Sequence, residues 1–229
     1  MTVSGALENL APDLWIASTG FFSAEWNVTV PVRMTVIRLK DGRVLIHSPV
    51  PIGPELRAAV EELGQPAALI ASNLFHHLFI SEWKSAFPEA KAVCVPGLET
   101  IRSDIKFDRV LDNAGAPEWR GEVEQILIEG IPMYGEMVFF HRASRTLIVS
   151  DLVFNYTREM AASDPGGLAG FGVHGRVRAA ISDADAARDS IDKVLRWPFE
   201  RVILAHGEIV ERDAYARLRE GFAFLGLTV

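Results

Sequence analysis

Cysteine is nearly absent from this chain: Cys94 is the only one in 229 residues. A lone cysteine cannot close an internal disulfide, so nothing points to an oxidising compartment. Its place in the apolar run Lys91-Ala92-Val93-Cys94-Val95 reads as a buried core thiol. Positive charge is also scarce, with 23 lysines and arginines against 30 acidic residues, a formal net charge of −7 and no basic cluster. Binding to nucleic acid needs a basic surface that displaces counterions from phosphate, and the composition argues against that class. Long apolar runs are missing too, since none approaches the roughly 18 residues that span a bilayer. The first ten residues carry neither a basic start nor an unbroken apolar stretch. The expectation is a cytoplasmic protein with no secretory signal and no membrane partner.

What remains is an ordinary globular composition, 49% hydrophobic and 23% charged, with enough length for a full core. No low-complexity linker divides it, so residues 1–229 read as one domain. Residues 14–19 and 34–39 have strand character, and Asp41-Gly42 before Val44-Leu45-Ile46 predicts a hairpin with a type I′ turn. Helical spacing of Leu56, Val60 and Leu63, ended by Gly64, predicts a helix over 54–63. Strands at 67–71 and 91–95 flank a helix over 81–87, and this alternation points to layered α/β structure. Residues 124–129, 137–141 and 146–149 read as further strands. Residues 164–175 are glycine-rich and aperiodic, and read as a mobile loop. Ser182 is placed to cap a helix over 183–197. A strand ending at His206 and a helix from about Glu211 complete the chain.

Three of these strands stop at metal-capable side chains. Residues 67–71 run on to His76-His77, 146–149 end at Ser150-Asp151, and 201–205 end at His206-Gly207. In open α/β sheets the ligand crevice lies beyond the carboxyl ends of the strands, so three such ends can converge. His76, His77, Asp151 and His206 therefore form one candidate site. The plainer alternative is structural: a histidine pair capping the next helix, and an aspartate accepting backbone N–H bonds at a turn. His47, His141 and His174 are given structural readings, His141 at a surface turn and His174 as a solvated loop residue.

The order of elements and these strand ends resemble the metallo-β-lactamase fold. More closely, the chain is similar to the DUF4336 family assigned to that fold. The residues that carry the resemblance are Met34 to Leu39, Ile46-His47-Ser48-Pro49, Ser72 to His77, Val95-Pro96-Gly97-Leu98, Phe139 to Asp151, and Asn155, with His206 last. It implies an α/β fold of the αββα type, two mixed sheets packed face to face with helices outside both.

Members of the wider superfamily bind two metals through an H-x-H-x-D-H segment, a later histidine, a bridging aspartate and a final histidine. Laid without gaps, that segment falls on Ser72 to His77. Its first two histidines become Ser72 and Leu74, its aspartate becomes His76, and its last histidine is His77. The later histidine falls on Pro132, the bridging aspartate on Asp151 and the final histidine on His206. The resemblance thus implies that one metal site is lost. The other would survive on His76, His77, Asp151 and His206, holding one divalent ion: zinc first, iron or manganese as alternatives. Asp151 would serve as a ligand or a water-orienting carboxylate. Glu136, close to the vanished histidine, is the candidate general base or extra ligand. Four protein ligands about a tetrahedral ion would close its coordination, the mark of a structural site.

The implied function is a single-metal hydrolase whose small-molecule substrate lies beneath residues 157–178. Two alternatives stand beside it: a non-catalytic module binding a small molecule or partner, and a mononuclear iron redox protein.

Overall fold

Residues 137–140 are apolar at every position, so the strand they form has two faces to bury, and the fold follows from where those faces go. A computed structural model describes residues 6–23, 28–164 and 167–227. The larger sheet takes seven strands in sequence order: β1 Glu8–Ala11, β2 Leu14–Ser23, β3 Val28–Arg38, β4 Val44–His47, β5 Pro66–Ala71, β6 Lys91–Cys94 and β7 Arg109–Val110. Pairing is antiparallel from β1 to β4 and parallel from β4 to β7. The second sheet contains β8 Val123–Leu127, β9 Met137–His141, β10 Thr146–Ile148 and β13 Arg201–Ile203, in the order β13-β10-β9-β8. Its β10–β13 pair is parallel, so both sheets are mixed.

On β9, Met137 and Phe139 pack into the core of the larger sheet, while Val138 and Phe140 face the opposite way. That period of two is what a strand buried on both sides requires. The far face of the second sheet is covered by α6 (Ala184–Val194) and α7 (Ala214–Gly221), through Ala187, Ile191, Val194, Ala214 and Leu218. Helices α1 (Pro54–Leu63) and α2 (Ile80–Ala86) pack on the larger sheet through Leu56, Val60, Ile80 and Trp83. Cys94 is fully buried, and burial pushes its thiol up to about 12. No helix among the described residues is long and apolar enough to cross a membrane.

Three local expectations are corrected. The β3–β4 hairpin forms, but only Gly42 has positive φ, so the turn is not type I′. Asp41 instead folds back to accept the Arg43 amide at 3.0 Å, the side-chain-to-backbone bond that short polar residues offer in turns. The cap of α6 is Asp183 rather than Ser182, its carboxylate accepting the Ala186 amide. Residues 164–175 hold regular structure: β11 (Phe154–Tyr156) and β12 (Gly170–Gly172) pair as a separate two-stranded ribbon, with α4 (Arg158–Ser163) between them and α5 (Gly175–Ala179) following. Residues 165 and 166 lie outside the described residues.

Candidate metal centre

Three chain segments leave the carboxyl ends of β5, β10 and β13 and meet. The first is turned by Asn73, which is fully buried. Its Oδ1 accepts the amides of Phe75 (2.9 Å) and His76 (2.6 Å), forming the tight turn that sends the His76 ring inward. Its Nδ2 donates to Asp151 Oδ2 at 2.6 Å and to Glu136 Oε2 at 3.2 Å. One amide therefore sets both a histidine and the carboxylate opposite it.

Asp151 follows β10. Glu136 shapes that exit, with Oε1 accepting the Ser150 amide at 2.8 Å and Oε2 the Asp151 amide at 2.7 Å. Burial and then the neighbouring Asp151 charge push the Glu136 carboxyl up, against these N–H donors. Burial works in the same direction on Asp151, but His76, together with hydrogen bonds from His206 and His76, outweighs it and holds that carboxyl well below the usual range.

His206 is held by β3. Its Nδ1 donates to the Pro31 carbonyl at 2.6 Å, which fixes Nε2 as the atom facing the site. The guanidinium of Arg33 donates to the carbonyls of Leu204 (2.5 Å) and Gly207 (2.8 Å), on either side of His206. Phe154 stacks on the imidazole at a centroid distance of 5.0 Å. Gly207 has φ +102°, and a Cβ there would collide with the Asn155 carbonyl, so only glycine admits this turn.

The outcome is a cluster of three donor atoms. His206 Nε2 lies 2.9 Å from Asp151 Oδ1, His76 Nε2 lies 3.5 Å from the same oxygen, and the two ring nitrogens are 3.2 Å apart. The three side chains are largely buried, 7–11% exposed. With Nδ1 of His206 committed as a donor, a neutral ring presents its Nε2 lone pair to an ionised carboxylate. Such a contact is repulsive unless a proton or a cation sits between the atoms. A tetrahedral ion bound at about 2.0–2.1 Å separates its ligands by about 3.3 Å, close to the mean of the three spacings found. Two imidazoles and one carboxylate are also a donor set that suits zinc or iron(II). The residues present therefore fit a divalent ion. This is the one group of three or more such side chains among the described residues.

His77 is not in that group. The Asn73 turn places consecutive side chains on different sides, and the Nδ1 of His77 lies 2.9 Å from Arg102 Nη1. A guanidinium only donates, so His77 accepts and is neutral; burial, then the Arg102 charge, lowers its basicity. Of the four residues expected to form one site, His76, Asp151 and His206 come together and His77 turns to Arg102. Glu136 is brought beside Asp151, where its oxygens accept the Ser150 and Asp151 amides and an N–H of Asn73 and so clamp the exit of β10.

The three positions at which the resemblance places other histidines hold Ser72, Leu74 and Pro132. Ser72 joins Ser48 and Ser150 in a closed triangle of buried hydroxyls, with O···O distances of 2.7, 2.7 and 3.0 Å. Each hydroxyl can donate to the next, so the triangle satisfies itself. The Leu74 side chain packs against Gly135, and Pro132 is exposed. His47 is buried with its ring edge on Phe139, and burial pushes it down to about 3. His141 is buried rather than at a surface turn, bonded to Ser144. His174 is buried too and caps α5, accepting the Arg176 amide. The determinants that sequence reading missed are Asn73, Arg33 and Pro31. Asn73 lies within the quoted Ser72–His77 segment, and Arg33 is a charge inside an otherwise apolar stretch of β3.

The arrangement of two mixed sheets and flanking helices is that of the metallo-β-lactamase fold. The chain superposes on the DIM-1 metallo-β-lactamase exposed to ceftazidime with a TM-score of 0.71 at 11% identity, covering 98% of this chain and 99% of that one. It matches the metallo-β-lactamase from Pontibacter korlensis at 0.67 and 12% identity, covering 95% and 98%. For FIM-1 from Pseudomonas aeruginosa in its mono-zinc form the values are 0.65 and 8%, with coverage of 99% and 98%. At such identities the likeness establishes the fold alone. Residues 23–165 match the family described as domain of unknown function (DUF4336), and the chain belongs to that family. No curated protein matches it.

Proposed function

We propose that this protein is a single-metal hydrolase acting on a small-molecule substrate, with His76, Asp151 and His206 as the ligands. The observation that carries the proposal is the convergence of three lone-pair donors within 3.5 Å of one another, one tautomer fixed by the Pro31 carbonyl. Three protein ligands match catalytic zinc sites, which keep a further position for water or substrate. A bound ion would supply Lewis acidity at that position and make water a competent nucleophile near neutral pH. This chain's own residues supply the positioning. Pro31 and Arg33 aim His206, Asn73 aims His76 and holds the second oxygen of Asp151, and Glu136 fixes the backbone of Asp151. Zinc is the leading ion.

Iron(II) is the second reading, and the donor set itself favours it, since two histidines and one carboxylate also form mononuclear iron sites with open positions. Elemental analysis by plasma mass spectrometry, on protein purified without a metal-affinity tag, separates the cases. About one equivalent of zinc per chain supports the hydrolase and directs a screen of esters, lactams and phosphodiesters. An equivalent of iron with a visible absorption band moves the assignment to redox chemistry. Less than a tenth of an equivalent after incubation with each metal defeats both and leaves the non-catalytic binding module.

A further inference from the structure

We propose that Tyr134 is a catalytic residue of this centre, its hydroxyl donating to the oxyanion that forms on an uncharged acyl substrate. The inference rests on the hydrolase reading above and names the class of compound that the site takes.

Tyr134 stands on the loop between β8 and β9, shortly after Pro132, where the resemblance places a histidine. That loop is tied to the turn that carries His76. The Tyr134 carbonyl accepts the Leu74 amide at 2.9 Å, and the phenol ring packs on Phe75 at a centroid distance of 5.2 Å. The same side chain closes one wall of a small cavity that Glu136 and Asp151 also line. The phenol thus sits between the segments that bring His76 and Asp151 to the site.

Its hydroxyl is unspent. Tyr134 is only 9% exposed, and its O–H makes no hydrogen bond among the described residues. The sealed, partnerless atoms of the interior, such as His47 Nε2, do not include it, so it still meets solvent. A phenol with a packed ring and a hydroxyl at the edge of water normally finds a partner, and here a bound molecule can supply one. Burial, then the Asp151 charge, raises this phenol above its ordinary value. It therefore keeps its proton at neutral pH and acts as a donor, not as a base.

Such a donor suits acyl chemistry. When water adds to an acyl carbon, a C–O bond forms and the carbonyl π pair moves onto oxygen. That oxyanion accepts from Tyr134, which retains its proton. Collapse restores the C=O bond and expels the leaving group, which takes the proton that the water gives up. A phosphodiester, by contrast, arrives already charged, at a wall shared with two carboxyl side chains in a protein of net charge −7. The accessible surface beside Tyr134 is apolar instead. Phe75, against its ring, is 40% exposed, and Met133, its neighbour in the chain, is 62% exposed. These side chains fit the hydrocarbon part of a carboxylic ester.

The test uses protein loaded with one equivalent of zinc, p-nitrophenyl butyrate as substrate, and butylboronic acid, whose tetrahedral anion mimics the oxyanion. Tyr134→Phe keeps the ring on Phe75 and removes only the O–H, so zinc content and melting temperature should not change. The loss should fall on kcat, by about 10²-fold, with KM little altered. Boronate affinity, read by calorimetry, should weaken about tenfold or more. Wild-type kcat and boronate affinity in Tyr134→Phe would overturn the inference and leave the hydrolase reading standing. So would a melting temperature several degrees lower, which would show that the hydroxyl is spent inside the fold. Neither turnover nor boronate binding in the loaded wild type would overturn the reading and the inference together.

Discussion

Replacing Arg33 with methionine tests whether the strand beneath His206 builds the metal centre. The side chain donates to the carbonyls of Leu204 at 2.5 Å and Gly207 at 2.8 Å, and to Ser18 Oγ at 3.0 Å. Methionine keeps the apolar stem and removes all three donors. A hydrogen bond from a charged donor contributes about 1.5–3 kcal/mol, but this side chain is half-buried and water can reach part of the vacated space. A loss of about 2–3 kcal/mol in stability follows, which for a chain of this length lowers Tm by about 4–12 °C.

The larger consequence concerns the ligand. His206 lies between the two carbonyls that Arg33 holds, so their release lets the imidazole leave the geometry that the Pro31 bond sets. Loss of such an outer contact typically costs 10–100-fold in metal affinity. Affinity is read by competition with a chromophoric chelator, and stability by thermal melting of the same metal-free samples. Arg33→Lys keeps the charge but can engage only part of this pattern, and should fall between the two. A variant that melts several degrees lower yet binds metal within twofold of wild type would refute the reasoning. It would show that Arg33 supports the fold without aiming the ligand.

Two further outcomes follow from the site. Alanine at His76, Asp151 or His206 should each reduce metal to well under one equivalent, whereas His77→Ala should retain wild-type stoichiometry. A folded His77→Ala protein without metal would return His77 to the ligand set. In metal-free protein, Glu136→Gln should flatten the fall of stability with rising pH. Burial and the Asp151 charge raise the Glu136 carboxyl in the folded state. A raised acid binds its proton more tightly folded than unfolded, so its contribution is present below about pH 4.3 and lost as pH rises through the folded value. Melting curves at pH 5 and pH 7.5 measure this; equal wild-type and variant differences between the two pH values would exclude a raised Glu136.

Much of the fold is legible in the sequence because its signals are local. Leu56, Val60 and Leu63 mark one face of α1, and Met137 to His141 reads as a strand from side-chain type alone. The strand ends also reveal where chemistry collects, since His76, Asp151 and His206 do meet. Turn geometry is what sequence spacing cannot supply. Adjacent histidines look equivalent in a string, and only the Asn73 side chain, by bonding two consecutive amides, decides that His76 faces inward and His77 faces Arg102. The contacts of Glu136 escape the sequence for a related reason. Proximity to the site was legible, but the two amides that occupy its oxygens belong to residues 14 and 15 positions away. The ribbon of β11 and β12 escaped because its pairing runs across a glycine-rich stretch with no apolar period.

At the same strand ends Ser72, Ser48 and Ser150 form a triangle of hydroxyls that satisfy one another, and Leu74 packs against Gly135. The three donors of the candidate metal centre are not satisfied alone, however, because His206 Nε2 and Asp151 Oδ1 stand 2.9 Å apart, a contact that needs a proton or a cation between the two atoms. A proton and a divalent cation are competing occupants of that gap. Metal uptake must therefore displace a proton, and apparent affinity must weaken as the solution becomes more acidic. Titrating zinc into unbuffered, chelator-treated protein checks this directly. A drop in pH that saturates at one equivalent is expected, and binding with no proton released would mean that the three side chains do not face one another as described.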